Sequence, residues 1–327
     1  MSDDQLAYMV TGGTGLLGTH VLNALRARHP ARPLIIASRG SPSSGGSMPA
    51  SVRLLRLDLT EDFILRPVVH TIIHIAGEKR DKFRMESVNH HGTRRLVEAA
   101  VQAGVRRFVC VSSVGVYGAR PHAGLVTETF PHMPRNPYEA SKDAGEKCVR
   151  ELCSRFGMEF VVVQPSNVIG SMTGRSYPLL GLMRMVQKGW FTWFGATEPW
   201  INYVAVEDVA AAVVVAAERA PSGHTFILNT PERLSNMVRW ISEELGVPTP
   251  QRRLPLWLGQ AAVGLGSTVA RLSNRSMLIS REKLLELTNT TMYDGSAFTH
   301  ATGFDYPAGV HRMIKNLVSA YRREGKV

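Results

Sequence analysis

Cysteine is scarce in this 327-residue chain: Cys110, Cys148 and Cys153 are the only three, and they form no CxxC. Thiolate zinc ribbons and thioredoxin-type exchange are thereby excluded, and the three read as reduced thiols of a cytoplasmic protein. No HExxH occurs, and His90-His91 stand side by side rather than at helical ligand spacing, so no metal is expected. No apolar run is long and clean enough for a membrane span, which needs ~20 residues. The closest, Leu254 to Ala270, is interrupted by Pro255, Gln260, three glycines, Ser267 and Thr268, and reads as a buried or lid helix. Its basic flanks, Arg252, Arg253, Arg271 and Arg275, suit a membrane surface, but membrane contact is not expected. The acidic Met1-Ser2-Asp3-Asp4 start leads directly into an apolar strand, without the pattern of a secretory leader. The net charge is +11, yet the arginines are thinly spread and no nucleic-acid-binding motif or internal repeat is present. This charge fits anionic small molecules better than nucleic acid.

What is present begins with Thr11-Gly12-Gly13-Thr14-Gly15-Leu16-Leu17-Gly18, between an apolar run (Leu6 to Val10) and an amphipathic one (Val21, Leu22, Leu25). A strand, a glycine-rich turn and a helix N-terminus suit a dinucleotide pyrophosphate. One glycine makes the tight turn, the next admits the phosphates, and the third lets the helix pack closely. A P-loop is excluded because no lysine precedes Thr19. The second strand, Pro33 to Ala37, ends at Ser38-Arg39 with no acidic side chain to accept the ribose 2′-hydroxyl. A hydroxyl and a guanidinium suit a 2′-phosphate, so NADP is expected over NAD.

Further strands are read at Val52–Leu57, Thr71–Gly77, Phe108–Ser113 and Phe160–Val163, with helices over about 85–103 and from Tyr138 onward. The alternation predicts an α/β fold with a doubly wound parallel sheet. Ligands then sit at the carboxyl ends of the strands, where Gly12, Asp58, Ala76, Ser113 and Pro165 fall. Residues 1–168 are expected to form the dinucleotide-binding domain, with 201–229 returning to it. A smaller, partly interleaved substrate domain takes 169–200 and 230–327. The aromatics Trp190, Phe191, Trp193, Phe194 and Trp200 suit a wall around an organic substrate or, equally, a core. His74, inside a buried strand, reads as a packed core residue.

Tyr138 and Lys142 stand at i and i+4 and so share one helix face. A free phenol, with pKa ~10, is a poor base at neutral pH, and an adjacent ammonium favours its phenolate. Such a tyrosine can exchange a proton with a substrate hydroxyl or carbonyl while a nicotinamide exchanges the hydride. Ser113, at a strand end, can hydrogen-bond the same oxygen.

With these residues in view, the chain resembles the extended short-chain dehydrogenases/reductases, the NAD-dependent epimerase/dehydratase group. Thr11 to Gly18 resembles the group's cofactor motif, implying contacts from Gly12, Gly13, Thr14, Gly15, Leu16, Leu17 and Gly18. Asp58-Leu59 resembles the adenine-side pair, Ala76-Gly77 the strand over the cofactor, and Asn89 the structural helix asparagine. The run Val111-Ser112-Ser113-Val114-Gly115 is similar to the catalytic serine segment, and Tyr138 and Lys142 match the catalytic pair. Gln164-Pro165-Ser166-Asn167-Val168-Ile169-Gly170 matches the segment after the sixth strand, Tyr203 to Val209 the "VDDV" segment, and Thr302 to Pro307 the C-terminal "LG-x-x-P". The resemblance implies a Rossmann-type fold and a homodimer through the helices bearing Asn89 and Tyr138. It places Ser112, Pro165, Asn167 and Val168 at the cofactor, with Ser113, Tyr138, Asn167, Glu78 and Lys79 toward substrate.

Two departures bear on the reaction. Dehydratases of the group carry Asp-Glu where Val114-Gly115 stand, so dehydration is not expected. Several nucleotide-sugar epimerases carry a diphosphate-binding arginine at the position of Ile201, leaving Arg175, Arg233, Arg252 or Arg253 to serve instead. Leu254 to Leu258 and Ile279 to Lys283 also look like the 3β-hydroxysteroid dehydrogenase-like branch. The leading expectation is a nucleotide-sugar 4-epimerase or 4-ketoreductase. The alternatives are an NADPH-dependent reductase of a hydrophobic ketone and a non-catalytic dinucleotide sensor.

Overall fold

The computed structural model describes residues 7–40, 52–66, 69–119, 122–170, 177–196, 198–261, 284 and 287–327. The acidic start, residues 41–50, Arg175, Arg271, Arg275, residues 262–270 and the Ile279–Lys283 stretch therefore lie outside the described residues.

Runs of valine and isoleucine build seven parallel strands: β1 (Ala7–Thr11), β2 (Leu34–Ser38), β3 (Val52–Arg56), β4 (Val69–His74), β5 (Arg107–Val111), β6 (Glu159–Pro165) and β7 (His224–Leu228). They are ordered β7-β6-β5-β4-β1-β2-β3, a doubly wound Rossmann-like sheet with its switch point between β1 and β4. The strand expected over 108–113 stops at Val111, leaving Ser112 and Ser113 in the loop beyond it.

Period-two alternation sends successive residues to opposite faces. Met9, Ile35, Ile72, Phe108, Cys110 and Val162 pack on one side, against α3 (Thr93–Gln102) and α4 (Pro137–Phe156). Val10, Ile36, Ile73, Val109, Val111 and Val163 pack on the other, against α1 (Leu16–Arg28) and α6 (Val206–Glu218). α3 continues a longer helical run made of α2 (Lys82–Met85) and a π-helical segment, Glu86–Gly92. The three cysteines are buried free thiols, and burial pushes Cys153 up to about 12.

A separate core joins α5 (Leu180–Gln187), α7 (Leu234–Leu245) and α9 (Gly309–Arg323), α8 being Ser296–Thr302. It contains Phe191 and Trp193 and so takes up part of the aromatic stretch expected to wall a substrate. Trp190 is 66% exposed, and Trp200 lies under the Arg233 guanidinium at 3.7 Å. Of the lid-helix expectation, residues 256–261 are helical, but Trp257 is 63% exposed rather than buried. No helix among the described residues is long and apolar enough to cross a membrane.

Polar pins join this C-terminal part to the sheet. The Asp208 carboxylate accepts from the Ala308 and Gly309 N–H groups, both at 2.8 Å, and so holds the start of α9. Beyond β7, the Asn229 amide donates to Asn202 Oδ1 at 3.0 Å and to the Tyr293 carbonyl at 2.8 Å, and accepts from Ser166 at 2.6 Å. Every member is buried or half-buried, so losing one partner strands the others without water. Asn229→Ala should therefore lower unfolding stability by about 1–3 kcal/mol. Urea denaturation of the variant beside the parent checks this.

Candidate active site

The glycine-rich turn owes its shape to three close approaches. Gly12 has φ +69, and a Cβ there would lie 2.8 Å from the Ala76 nitrogen. At Gly18 a Cβ would collide with the Gly12 carbonyl, so the first turn of α1 rests directly on the loop. Between them, a Cβ on Gly15 would meet only the Gly12 carbonyl, at 3.3 Å, and its open side faces the cleft. Gly13 differs from its expected role: it points inward, where a Cβ would press on the Ile36 and Leu22 side chains. Its lack of a side chain serves packing, and it does not line the cleft.

Just before the turn, Thr11 organises the end of β4. Its hydroxyl accepts from the Ile75 and Ala76 N–H groups, both at 3.2 Å. It also lies 2.7 Å from His74 Nδ1, while His74 Nε2 is 2.9 Å from the Thr93 hydroxyl. Thr93 in turn donates to the Asn89 carbonyl at 2.7 Å. With that hydroxyl proton committed, Nε2 must be the donor toward Thr93 and Nδ1 the acceptor from Thr11. His74 is therefore held neutral as one tautomer. Burial, with the charge of Lys142 nearby, pulls its pKa down to about 3.

Asn89 lies within the π-helical segment rather than in the cleft wall, and its contribution is indirect. Its Oδ1 accepts from Glu78 N at 2.7 Å, and its Nδ2 donates to the Glu78 carbonyl at 2.8 Å and to Ser141 at 3.0 Å. It thus ties the 76–81 turn to α4. The Glu78 carboxylate folds back on its own turn, accepting N–H groups from Lys79, Arg80 and Asp81. The Arg80 N–H above all holds this carboxyl below the usual range, despite some burial.

α4 begins with a strong start signal: Asn136 caps the Glu139 N–H at 2.9 Å, and Pro137 occupies the first helical position. That cap sets the phase of the helix, so Tyr138 and Lys142 both face the cleft. Lys142 is buried, and its ammonium donates to the Val111 carbonyl at 2.8 Å, which positions it at the end of β5. Ser113 caps a short 3-10 turn by accepting from Gly115 N at 3.1 Å. Tyr117, in the same segment, is fully buried and donates to Gln164 at 2.5 Å, a purely structural role.

A cleft of about 1140 Å³ runs across these strand ends. Gly12, Thr14, Gly15, Leu16, Leu17 and Gly18 line its floor. Ser38, Arg39, Asp58 and Leu59 line one end, and Ala76, Gly77, Glu78 and Lys79 one wall. Ser112, Ser113, Tyr138, Lys142, Pro165, Asn167 and Val168 complete it. Thr11, Asn136, Ser166, Ile169 and Tyr203 also face it, although the sequence reading assigned them no ligand role. Asn136 carries a readable sign, since Asn-Pro with an acidic residue at the third helical position marks a helix start. Ser166 gives no sign of its own. Asp58 is held below the usual carboxylate range, chiefly by the Thr60 N–H, with Arg39 and Arg84 adding to it.

Two features fit this cleft to a dinucleotide. The turn presents bare backbone to the cleft at Gly15, where a Cβ would meet only the Gly12 carbonyl on the protein side. The Ser112 hydroxyl is buried at the cleft wall with no partner among the described residues. A buried hydroxyl without a partner is costly unless a ligand or water completes it.

The profile of the NAD dependent epimerase/dehydratase family matches residues 8–228. The chain belongs to that family and is an enzyme of the extended short-chain dehydrogenase/reductase type. It is 26% identical over 330 residues to a UDP-glucose 4-epimerase of Vibrio cholerae, covering 96% of this chain and 95% of that one. It is 25% identical to sterol demethylase protein B of Methylococcus capsulatus, covering 98% and 100%. Among solved structures, the UDP-glucose 4-epimerase of Thermus thermophilus in complex with NAD matches with a TM-score of 0.67 at 21% identity, covering 97% of this chain and 99% of that one. That likeness bears on the fold.

The neutral His74 has a consequence for pH. The unfolded chain takes up a proton below the ordinary value of 6.5, whereas the folded site resists it down to about 3. Stability from this group is complete above pH 6.5 and falls as pH drops through that window, by about 1.4 kcal/mol per pH unit at most. Urea midpoints from pH 7 to 4.5 should fall more steeply for the parent than for His74→Gln, which has no proton to bind.

Proposed function

We propose that this enzyme interconverts a secondary alcohol and a ketone, with the sugar ring of a nucleotide-sugar as the leading substrate. The gathering of Ser113, Tyr138 and Lys142 in the cleft that holds the glycine cradle carries this reading. When bound, a nicotinamide dinucleotide gives or takes the hydride. Tyr138 passes the proton to or from the substrate oxygen. Lys142, fixed by the Val111 carbonyl, stabilises negative charge on the phenol oxygen, and Ser113 hydrogen-bonds the reacting oxygen. Asn167, Glu78 and Lys79 border the substrate. Arg39 and Ser38 favour a 2′-phosphate, and hence NADP over NAD. The same reading includes a homodimer formed through the helices that carry Asn89 and Tyr138.

A second substrate class has its own support. Ile201 is buried where an epimerase-type arginine would stand, and Arg233 is spent on the Trp200 ring and the Glu198 carbonyl. Neither supplies an obvious diphosphate clamp, which favours an NADPH-dependent reductase of a hydrophobic ketone. The resemblance to sterol demethylase protein B over its whole length points the same way.

The two classes separate on cofactor behaviour. An epimerase purifies with dinucleotide bound and turns over UDP-sugars without added cofactor. A reductase consumes NADPH when an apolar ketone is supplied. In either case Tyr138→Phe should lower kcat by roughly 10²–10⁴-fold. If the variant keeps the parental rate, the tyrosine is not the proton carrier. Arg39→Ala should weaken NADPH binding far more than NADH binding, measured by fluorescence titration, and equal losses would remove the NADP assignment.

A further inference from the structure

Three side chains outside the cleft converge on the outer surface of the π-helical segment. Glu86 Oε1 lies 2.5 Å from His90 Nδ1 and 3.9 Å from His91 Nε2, and the ligand atoms of the trio lie within 4.8 Å of one another. In an α-helix this could not happen: at 100° per residue, a residue five places on sits roughly 140° away. An i→i+5 helix advances only roughly 80° per residue, so positions i+4 and i+5 straddle position i. Residues 86–92 are such a helix, and the two adjacent histidines are thereby brought to either side of Glu86. Their rings stack with centroids 4.5 Å apart. The adjacency that argues against metal ligation in an α-helix thus becomes a chelating arrangement.

We propose that Glu86, His90 and His91 form a surface site for a divalent transition metal of the zinc type. Two imidazoles and one carboxylate are a donor set that zinc accepts, with water completing the tetrahedron. Bonds of 2.0–2.1 Å place the ligands of a tetrahedral ion ~3.3 Å apart, so closing on it requires the two stacked rings to turn out of their near-parallel arrangement until both nitrogens face one point. Glu86 and His91 are exposed and His90 half-buried, which leaves the ion an entry path and an open position. Bound metal would clamp the segment that presents Asn89 to the Glu78 turn and Ser141. The site is thus a brace for the cleft wall, not part of the reaction.

Isothermal titration of tag-free, chelator-treated protein with zinc chloride tests this. One equivalent should bind in the roughly micromolar range, and His91→Ala and Glu86→Gln should each weaken it by about 10–100-fold. Both positions are exposed in the single chain, so folding of the protomer is not at stake, and circular dichroism checks this. Zinc should also raise the thermal midpoint of the parent and leave that of the His90→Ala/His91→Ala double variant unchanged. Absence of binding to the parent, or equal affinity in the variants, overturns the proposal.

Discussion

A buried imidazole that stays uncharged holds the nucleotide side of the cleft in register. His74 joins Thr11, the last residue of β1, to Thr93, the first of α3, and Thr93 passes the link to the Asn89 carbonyl. Each hydroxyl in the chain has one proton and one direction in which to donate it, so the whole relay admits a single polarity. The Thr11 oxygen is left to receive Ile75 and Ala76, and this sets the wall against which Gly12 packs. A charged imidazole would have two donors and no acceptor, and Thr11 would lose its role as the donor to Nδ1.

The C-terminal part depends on a different device. Helices α5, α7 and α9 share an apolar core of their own, while Phe298 and Phe304 pack into the sheet's core beside Phe226. Carboxylate and amide groups add to that contact: Asp208 at the head of α9, and the Asn202–Asn229 pair between the 291–293 segment and the sheet. Burial pushes Asp208 up from the ordinary range even though two N–H groups serve it. The pins lie next to Ser166 and Asn167, which border the cleft, so lobe attachment and cleft wall share residues.

Much of the fold was legible because it rests on local signals. Apolar runs, the TGGTGLLG turn and the i, i+4 pair Tyr138 and Lys142 each act over a few residues, and each predicts its own element. The cleft followed, since strand ends in such sheets converge. What stayed illegible was set by distant partners. Gly13 looks like a phosphate glycine until Ile36 and Leu22 are seen behind it. Phe191 and Trp193 suit a substrate wall until the helices that cover them are placed. Nothing in the spacing of Asn202 and Asn229 announces that they meet.

The π-helical segment shows the same limit from another side, since the sequence reads about 85–103 as one uniform helix. Such a bulge amounts to one surplus residue accommodated without breaking the rod. Removing any single residue between 86 and 92 would let the rod wind evenly. The stretch before it would then swing by about a third of a turn relative to α3. Asn89 and the 76–81 turn would lose their mutual phase, so in this part of the fold residue count itself carries structural information, independent of side-chain identity.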